Sequence, residues 1–138
     1  AAGETHVARA AKIGRDKIVD TARRMGLTTP LTDTVSLPIG AAEVTVLDMT
    51  AGYAVFANGG YKATPYAATE VRNSAGEVIY RRERDGGPRV RVLSEQVTED
   101  MNLMLSKVPE EGTGRRAALE GIKSAGKTGT TNGYRDAW

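Results

Sequence analysis

The sequence predicts a protein of the α+β class, with helices and antiparallel strands in separate stretches of the chain. Three observations predict it. Apolar residues recur at helical spacing in three stretches, two β-compatible runs flank a turn, and an extended stretch rich in Gly and Thr follows the last helix. The chain has 138 residues, 40% of them hydrophobic and 26% charged, which is typical of a globular domain with one modest core.

The first helical region covers roughly residues 5 to 25. Gly14 interrupts its apolar pattern, and Gly26 follows it at a position typical of a helix C-terminus. We therefore expect two short helices rather than one. A loop from Thr28 to Pro38 follows, because two prolines with scattered Thr and Ser do not favour regular structure.

A mostly buried helix is predicted over roughly residues 43 to 57. Its apolar residues lie at helical spacing, and Asn58-Gly59-Gly60 supplies a left-handed stop. The longest apolar stretch, Val44 to Ala57, contains Asp48 and is too short for a membrane span. We expect contact with a membrane only through an anchor outside this chain.

A hairpin is predicted near residues 67 to 82, around the turn Asn73-Ser74-Ala75-Gly76. The charged stretch from Arg81 to Arg91, rich in Gly, is expected to be an exposed loop. Ser94 is a suitable N-cap for a last helix that extends to about Val108.

Composition excludes several kinds of site. A net charge of +2 is too small for a protein dedicated to binding nucleic acid. One Trp, one Phe and five Tyr are also too few aromatic residues to stack against bases. The absence of Cys excludes disulfides, thiolate metal sites and a Cys nucleophile. The single His6 cannot form a metal site alone, and it is more typical of a surface or packing residue than of a catalytic base. We expect no nucleic-acid partner, no metal and no cofactor.

Residues Gly121 to Thr128 match the P-loop pattern G-x-x-x-x-G-K-[ST] at every position. A working P-loop follows a buried strand and opens a helix. The residues before Gly121 are not an apolar strand, and Gly129 to Gly133 are poor helix formers. A nucleotide hydrolase is therefore the weakest of the functions considered.

The same stretch contains the triplet Lys127-Thr128-Gly129, followed by Thr130, within a strand predicted from about residue 123 to 131. Taken alone, the two threonines reflect no more than β-propensity. Four other stretches of the chain must be considered together with the triplet. They are Leu37 to Thr45, Tyr53 to Gly60, Glu110 to Ala117 and Tyr134 to Trp138. Their residues and order resemble the transpeptidase domain of class A penicillin-binding proteins along nearly the whole chain. The resemblance implies a penicillin-binding/β-lactamase-like transpeptidase fold, an antiparallel sheet flanked by helices, present here only in part.

The resemblance also implies a function. Such a protein is a peptidoglycan D,D-transpeptidase, in which a serine is acylated by the penultimate D-Ala of a stem peptide and the acyl group passes to an amine of a second strand. β-Lactam antibiotics acylate the same serine. The implied partners are the D-Ala-D-Ala stem peptide, β-lactams and the remainder of the domain. The implied location is the periplasmic or extracytoplasmic face of the bacterial cytoplasmic membrane.

By the family motif, four residues form the site. Lys127 would be catalytic, holding the proton network and the carboxylate of the ligand. Thr128 and Thr130 would bind that carboxylate, and the Thr130 backbone N–H would be half of the oxyanion hole. Gly129 would let the ligand lie close along the backbone.

Two family motifs are missing. Ser124-Ala125-Gly126-Lys127 has the S-x-x-K spacing, but its lysine already belongs to the K-T-G triplet and Gly126 disfavours a helix. An S-x-N motif is expected near Ala1 to Glu4, which contain neither Ser nor Asn. We therefore expect residues 1–138 to be a partial transpeptidase domain that lacks the nucleophile region and the last sheet strands, inactive alone. A non-catalytic binding or scaffold relative remains the alternative.

Overall fold

A computed structural model describes residues 5–130 and 137–138 of the chain. In this part of the chain the order of elements is helix, helix, helix, hairpin, helix, helix. The helices are α1 (His6–Ile13), α2 (Arg15–Met25), α3 (Val46–Ala57), α4 (Arg82–Asp85) and α5 (Glu95–Glu110), and the strands are β1 (Glu70–Arg72) and β2 (Val78–Arg81). The predicted α+β class is confirmed.

The first two helices are separate, as predicted. The Thr5 hydroxyl accepts the backbone N–H of Ala8 and begins α1, which ends at Gly14 with φ +97°. Gly26, at φ +115°, ends α2 in the left-handed region, where a side chain would be strained. Glycine at these two positions fixes where each helix stops.

Helix α3 is the centre of the packed region. It begins at Val46 rather than at 43, because Thr45 is extended and its hydroxyl caps the helix by accepting the Asp48 N–H. Val55 is fully buried, and Ala51 beside it is 6% exposed. The helix packs between α2 and α5 and contributes Ala51 and Val55 to the small core.

The hairpin is confirmed, but it is shorter than predicted. Val71 pairs with Tyr80 across the two strands, next to a register irregularity at Arg72. The side-chain oxygen of Asn73 accepts two backbone N–H groups, those of Ala75 and Glu77, each at 3.0 Å. This side-chain turn makes the sharp reversal between β1 and β2.

The predicted loop over residues 81–91 was wrong at its start, since it contains α4. The Asp85 carboxylate accepts the Arg81 N–H at 2.7 Å and so stabilises a single helical turn. After α4 the chain is extended and returns to the end of α3. There the guanidinium groups of Arg89 and Arg91 lie 4.2 and 4.3 Å from the centroid of the Tyr61 ring.

The predicted strand over residues 123–131 was also wrong, within the described part. Its one pairing is an isolated bridge between Thr130 and Ala137. Further back, the Gly126 N–H donates to the Leu105 carbonyl of α5 instead of to a strand. A strand forms only where a neighbouring strand supplies hydrogen bonds to its backbone. In the described residues, Ala137 and Trp138 pair only with Thr130 and Gly129.

Much apolar surface is exposed. The chain exposes 10458 Å² of surface, whereas a compact chain of this mass would expose about 7000 Å². Val46 and Leu47 on α3 are 66% and 61% exposed. Within the described residues no helix has the length and apolar content needed to cross a membrane.

Candidate active site

The segment from Gly126 to Thr130 is held against the C-terminal half of α5. The Gly126 N–H donates to the Leu105 carbonyl at 3.1 Å. The loop that follows α5 turns back onto the same helix, because the Gly112 and Gly114 N–H groups both donate to the Val108 carbonyl at 3.1 Å. One helix therefore positions both the segment and the loop beside it.

Thr128 contacts this loop directly. Its hydroxyl oxygen lies 2.7 Å from the hydroxyl oxygen of Thr113. The loop is tightly packed there, since a Cβ added to Gly114 would lie 2.9 Å from Val108 Cγ1 and 3.6 Å from Thr128 Cγ2. No functional motif in the sequence singles out Thr113, although it stands in the Glu110 to Ala117 stretch.

The backbone amide of Thr130 lies on an edge of the segment that pairs with no other part of the described chain. Gly129 and Trp138 exchange both N–H···O bonds, each at 2.8 Å, so they form a hydrogen-bonded antiparallel pair. The next pair, Thr130 and Ala137, is therefore of the non-hydrogen-bonded kind. The N–H of Thr130 points away from Trp138, toward the other edge of the segment.

Lys127 carries an exposed positive charge at this edge. Its ammonium group donates to the carbonyl of Thr128. Within residues 5–130 and 137–138, no carboxylate lies within ion-pair distance of Lys127. Its charge is therefore available to an anionic ligand at the same edge.

A comparison with known families decides what this chain is. Residues 6–137 match the family model described as penicillin binding protein transpeptidase domain. The chain belongs to this transpeptidase family.

Named relatives agree with this assignment. The chain is 37% identical over 127 residues to penicillin-binding protein 1A of Aquifex aeolicus, a match that covers 92% of this chain and 17% of the relative. It is 31% identical over 149 residues to the protein of the same name from Rickettsia conorii, covering 94% of the chain and 19% of the relative. The chain thus spans about a fifth of the length of these curated relatives.

Solved structures show the same fold. The crystal structure of penicillin-binding protein 1A from Haemophilus influenzae matches with a TM-score of 0.79 at 24% identity, over 96% of this chain and 25% of that one. The D,D-transpeptidase domain of a peptidoglycan glycosyltransferase from Eggerthella lenta matches with a TM-score of 0.73 at 22% identity, over 96% of this chain and 40% of that one. The predicted transpeptidase fold, present in part, is confirmed.

Two other motifs in this transpeptidase chain do not form sites in the described residues. Residues 123–129 contain no helix, so Ser124 and Lys127 are not one turn apart on a helical face. For the same reason no helix opens at Thr128, as a P-loop requires. The stretch Ala1 to Glu4, where an S-x-N motif was expected, and residues 131–136 lie outside the described residues.

The glycine of the triplet is not required by local packing. A Cβ on Gly129 would lie 3.4 Å from the Cβ of Trp138, an ordinary contact, and its φ is not positive. The role predicted for Gly129, allowing a ligand to lie along the backbone, therefore stays a prediction. The described residues contain no group of His, Cys, Asp or Glu suited to a metal ion.

Proposed function

We propose that this chain supplies the ligand-binding edge of a serine-type D,D-transpeptidase. In the proposed reaction, the serine oxygen attacks the carbonyl of the penultimate D-Ala of a stem peptide, and the terminal D-Ala leaves as the amine. A second amine then attacks the acyl-enzyme and releases the serine, which forms the cross-link. β-Lactams acylate the same serine, and their opened ring stays attached. Membership of the transpeptidase family supports this reaction class.

The observation that carries the proposal is the open edge at Thr130. Its backbone N–H points away from the Gly129–Trp138 pair, and no acceptor for it lies among residues 5–130 and 137–138, which leaves it able to donate to an oxyanion. One such donor stabilises a transition state by about 3 kcal/mol. Thr128 lies two residues away, which in an extended chain puts both threonine side chains on the same face.

The charge of Lys127 completes the proposed site. An ammonium group without a carboxylate partner in the described residues attracts the carboxylate of a stem peptide or of a penicillin. Lys127 would also take part in the proton transfers that accompany attack and leaving-group departure. In this role it is the catalytic residue, while Thr128, Gly129 and Thr130 bind the ligand.

We propose that the nucleophilic serine comes from outside this chain. In the described structure, the Ser94 hydroxyl caps α5 and the Ser106 hydroxyl donates to the Leu103 carbonyl in the same helix. Ser124 is not on a helix with its lysine one turn later. The chain alone is therefore proposed to be inactive.

The exposed side of α3 is proposed to pack against the remainder of the domain. A helix that is apolar all round is normally buried, yet Val46, Leu47 and Tyr53 are exposed here. The Eggerthella lenta chain, of which this chain covers 40%, is large enough to contain such a cover.

The proposed location is the extracytoplasmic face of the bacterial membrane, with an anchor supplied elsewhere.

Covalent labelling with a fluorescent penicillin tests the proposal. The full-length polypeptide that contains this chain should be labelled on a serine outside residues 1–138, and the isolated chain should stay unlabelled. Labelling that maps to Ser124 would overturn the proposed nucleophile. Reversible binding of penicillin to the full-length polypeptide without a covalent product would favour the non-catalytic binding or scaffold relative.

A further inference from the structure

We infer that Thr113 is a positioning residue that orients the hydroxyl of Thr128 toward the ligand. The inference rests on the proposed function, in which Thr128 binds the carboxylate of a stem peptide or of a β-lactam. It starts from the 2.7 Å separation of the Thr113 and Thr128 hydroxyl oxygens.

The direction of this hydrogen bond follows from the number of hydrogens that each group can donate. A hydroxyl has one hydrogen to donate and two lone pairs, whereas a carboxylate only accepts. If Thr128 donated to Thr113, it would have no hydrogen left for the ligand. With a carboxylate bound, Thr113 therefore donates to Thr128, and the Thr128 hydrogen points to the ligand.

The backbone around Thr113 is held firmly enough for this role. On one side, the Gly112 N–H donates to the carbonyls of Lys107 and Val108, at 2.9 and 3.1 Å. On the other, the Gly114 N–H donates to Val108 and the Gly114 carbonyl accepts the Ala117 N–H at 2.8 Å. The loop is thus fixed to α5 on both sides of Thr113.

Helix α5 also holds the segment that contains Thr128. The Gly126 N–H donates to the Leu105 carbonyl, two residues before Thr128. Thr113 and Thr128 are therefore brought together by hydrogen bonds of their own segments to α5. A contact that the fold itself holds in place lowers the entropy cost of orienting Thr128 when the ligand binds.

The test separates binding from chemistry in the full-length polypeptide. For penicillin, the dissociation constant of the reversible complex and the rate constant of acylation within it are measured for Thr113→Val, Thr113→Ser and the parent. Thr113→Val keeps the shape but cannot donate, so we expect the dissociation constant to rise about 3- to 10-fold, as for loss of one neutral hydrogen bond. The acylation rate constant should change little, and Thr113→Ser should restore the dissociation constant.

A control and a contrary result complete the test. Thr50 lies on α3, and its hydroxyl donates to the Val46 carbonyl of its own helix at 2.7 Å, so Thr50→Val should leave both constants unchanged. An unchanged dissociation constant in Thr113→Val, with the parent acylated normally, would overturn the positioning role and leave the proposed function standing. A parent that penicillin does not acylate would instead overturn the proposed function and this role together.

Discussion

The carboxylate of Asp48 accepts both the backbone N–H and the hydroxyl of Thr29, each at 2.6 Å. It also accepts the backbone N–H and the hydroxyl of Thr28, at 2.8 and 3.0 Å. One carboxylate in the first turn of α3 thus holds the loop that follows α2. These donors, with the hydroxyl of Thr29 first among them, lower the pKa of Asp48 from 3.8 to about 2.

The first prediction concerns stability in acid. Because the pKa of Asp48 is lower in the folded chain than in the unfolded one, its carboxylate stabilises the fold fully above about pH 4. That contribution should be lost as the pH falls from about 4 through about 2. The measurement is the pH dependence of the unfolding midpoint, in the shortest polypeptide containing this chain that unfolds cooperatively.

Substitution isolates the part that Asp48 contributes. Asp48→Asn should lower the midpoint at pH 7 and flatten its fall between pH 4 and pH 2. Asp100→Asn, at an exposed position on α5, should leave the acid profile nearly unchanged. An acid profile of Asp48→Asn that superimposes on the parent would contradict this assignment.

The second prediction concerns Gly60, which lies three residues beyond the end of α3 and has φ +86°. A Cβ there would lie 2.6 Å from the Leu93 carbonyl oxygen and 2.7 Å from the Thr98 hydroxyl, so something must shift. Gly60→Ala should therefore cost more than the left-handed strain alone, about 3 kcal/mol or more of unfolding free energy.

Gly76 is the matched control for this substitution. Its φ is +83°, but a Cβ there would meet nothing within 4 Å. Gly76→Ala should therefore cost only about 1 to 2 kcal/mol, the strain of the left-handed conformation. Equal losses in the two variants, measured by denaturant unfolding, would show that the close approach of Leu93 does not matter.

The third prediction concerns the exposed side of α3. The chain has no Cys, so Leu47→Cys gives a thiol at a position where the side chain is 61% exposed. It should react rapidly with a thiol reagent in the isolated chain and slowly in the full-length polypeptide, where the remainder of the domain is proposed to cover it. Peptide mapping separates this thiol from any other, and Ala75→Cys in the hairpin turn should react equally in both. Equal reaction of Leu47→Cys in both would contradict the proposed cover.

The sequence predicted those parts of the fold that local chemistry decides. The helix ends at Gly14 and Gly26, and the turn at Gly59 and Gly60 just after α3, follow from a backbone conformation that glycine adopts without strain. The hairpin follows from Asn73, whose side chain makes the turn itself.

Features that depend on distant partners were not predictable in this way. The strand expected around Lys127 depends on neighbours that local propensity does not reveal. Helix α4 depends on Asp85, whose carboxylate accepts the Arg81 N–H. The composition of residues 81–91 otherwise predicts a loop. The contact of Thr113 with Thr128 joins residues 15 positions apart, and it exists because both are held by α5.

Release of D-Ala from a stem peptide that ends in D-Ala-D-Ala tests the central proposal most directly. The full-length polypeptide should release D-Ala. Lys127→Ala should lower the rate by about 100-fold or more, as for loss of a group that transfers protons in the reaction. Lys123→Ala, an exposed lysine of the same stretch, should retain the parent rate. An undiminished rate in Lys127→Ala, or a parent that releases no D-Ala, would contradict the account.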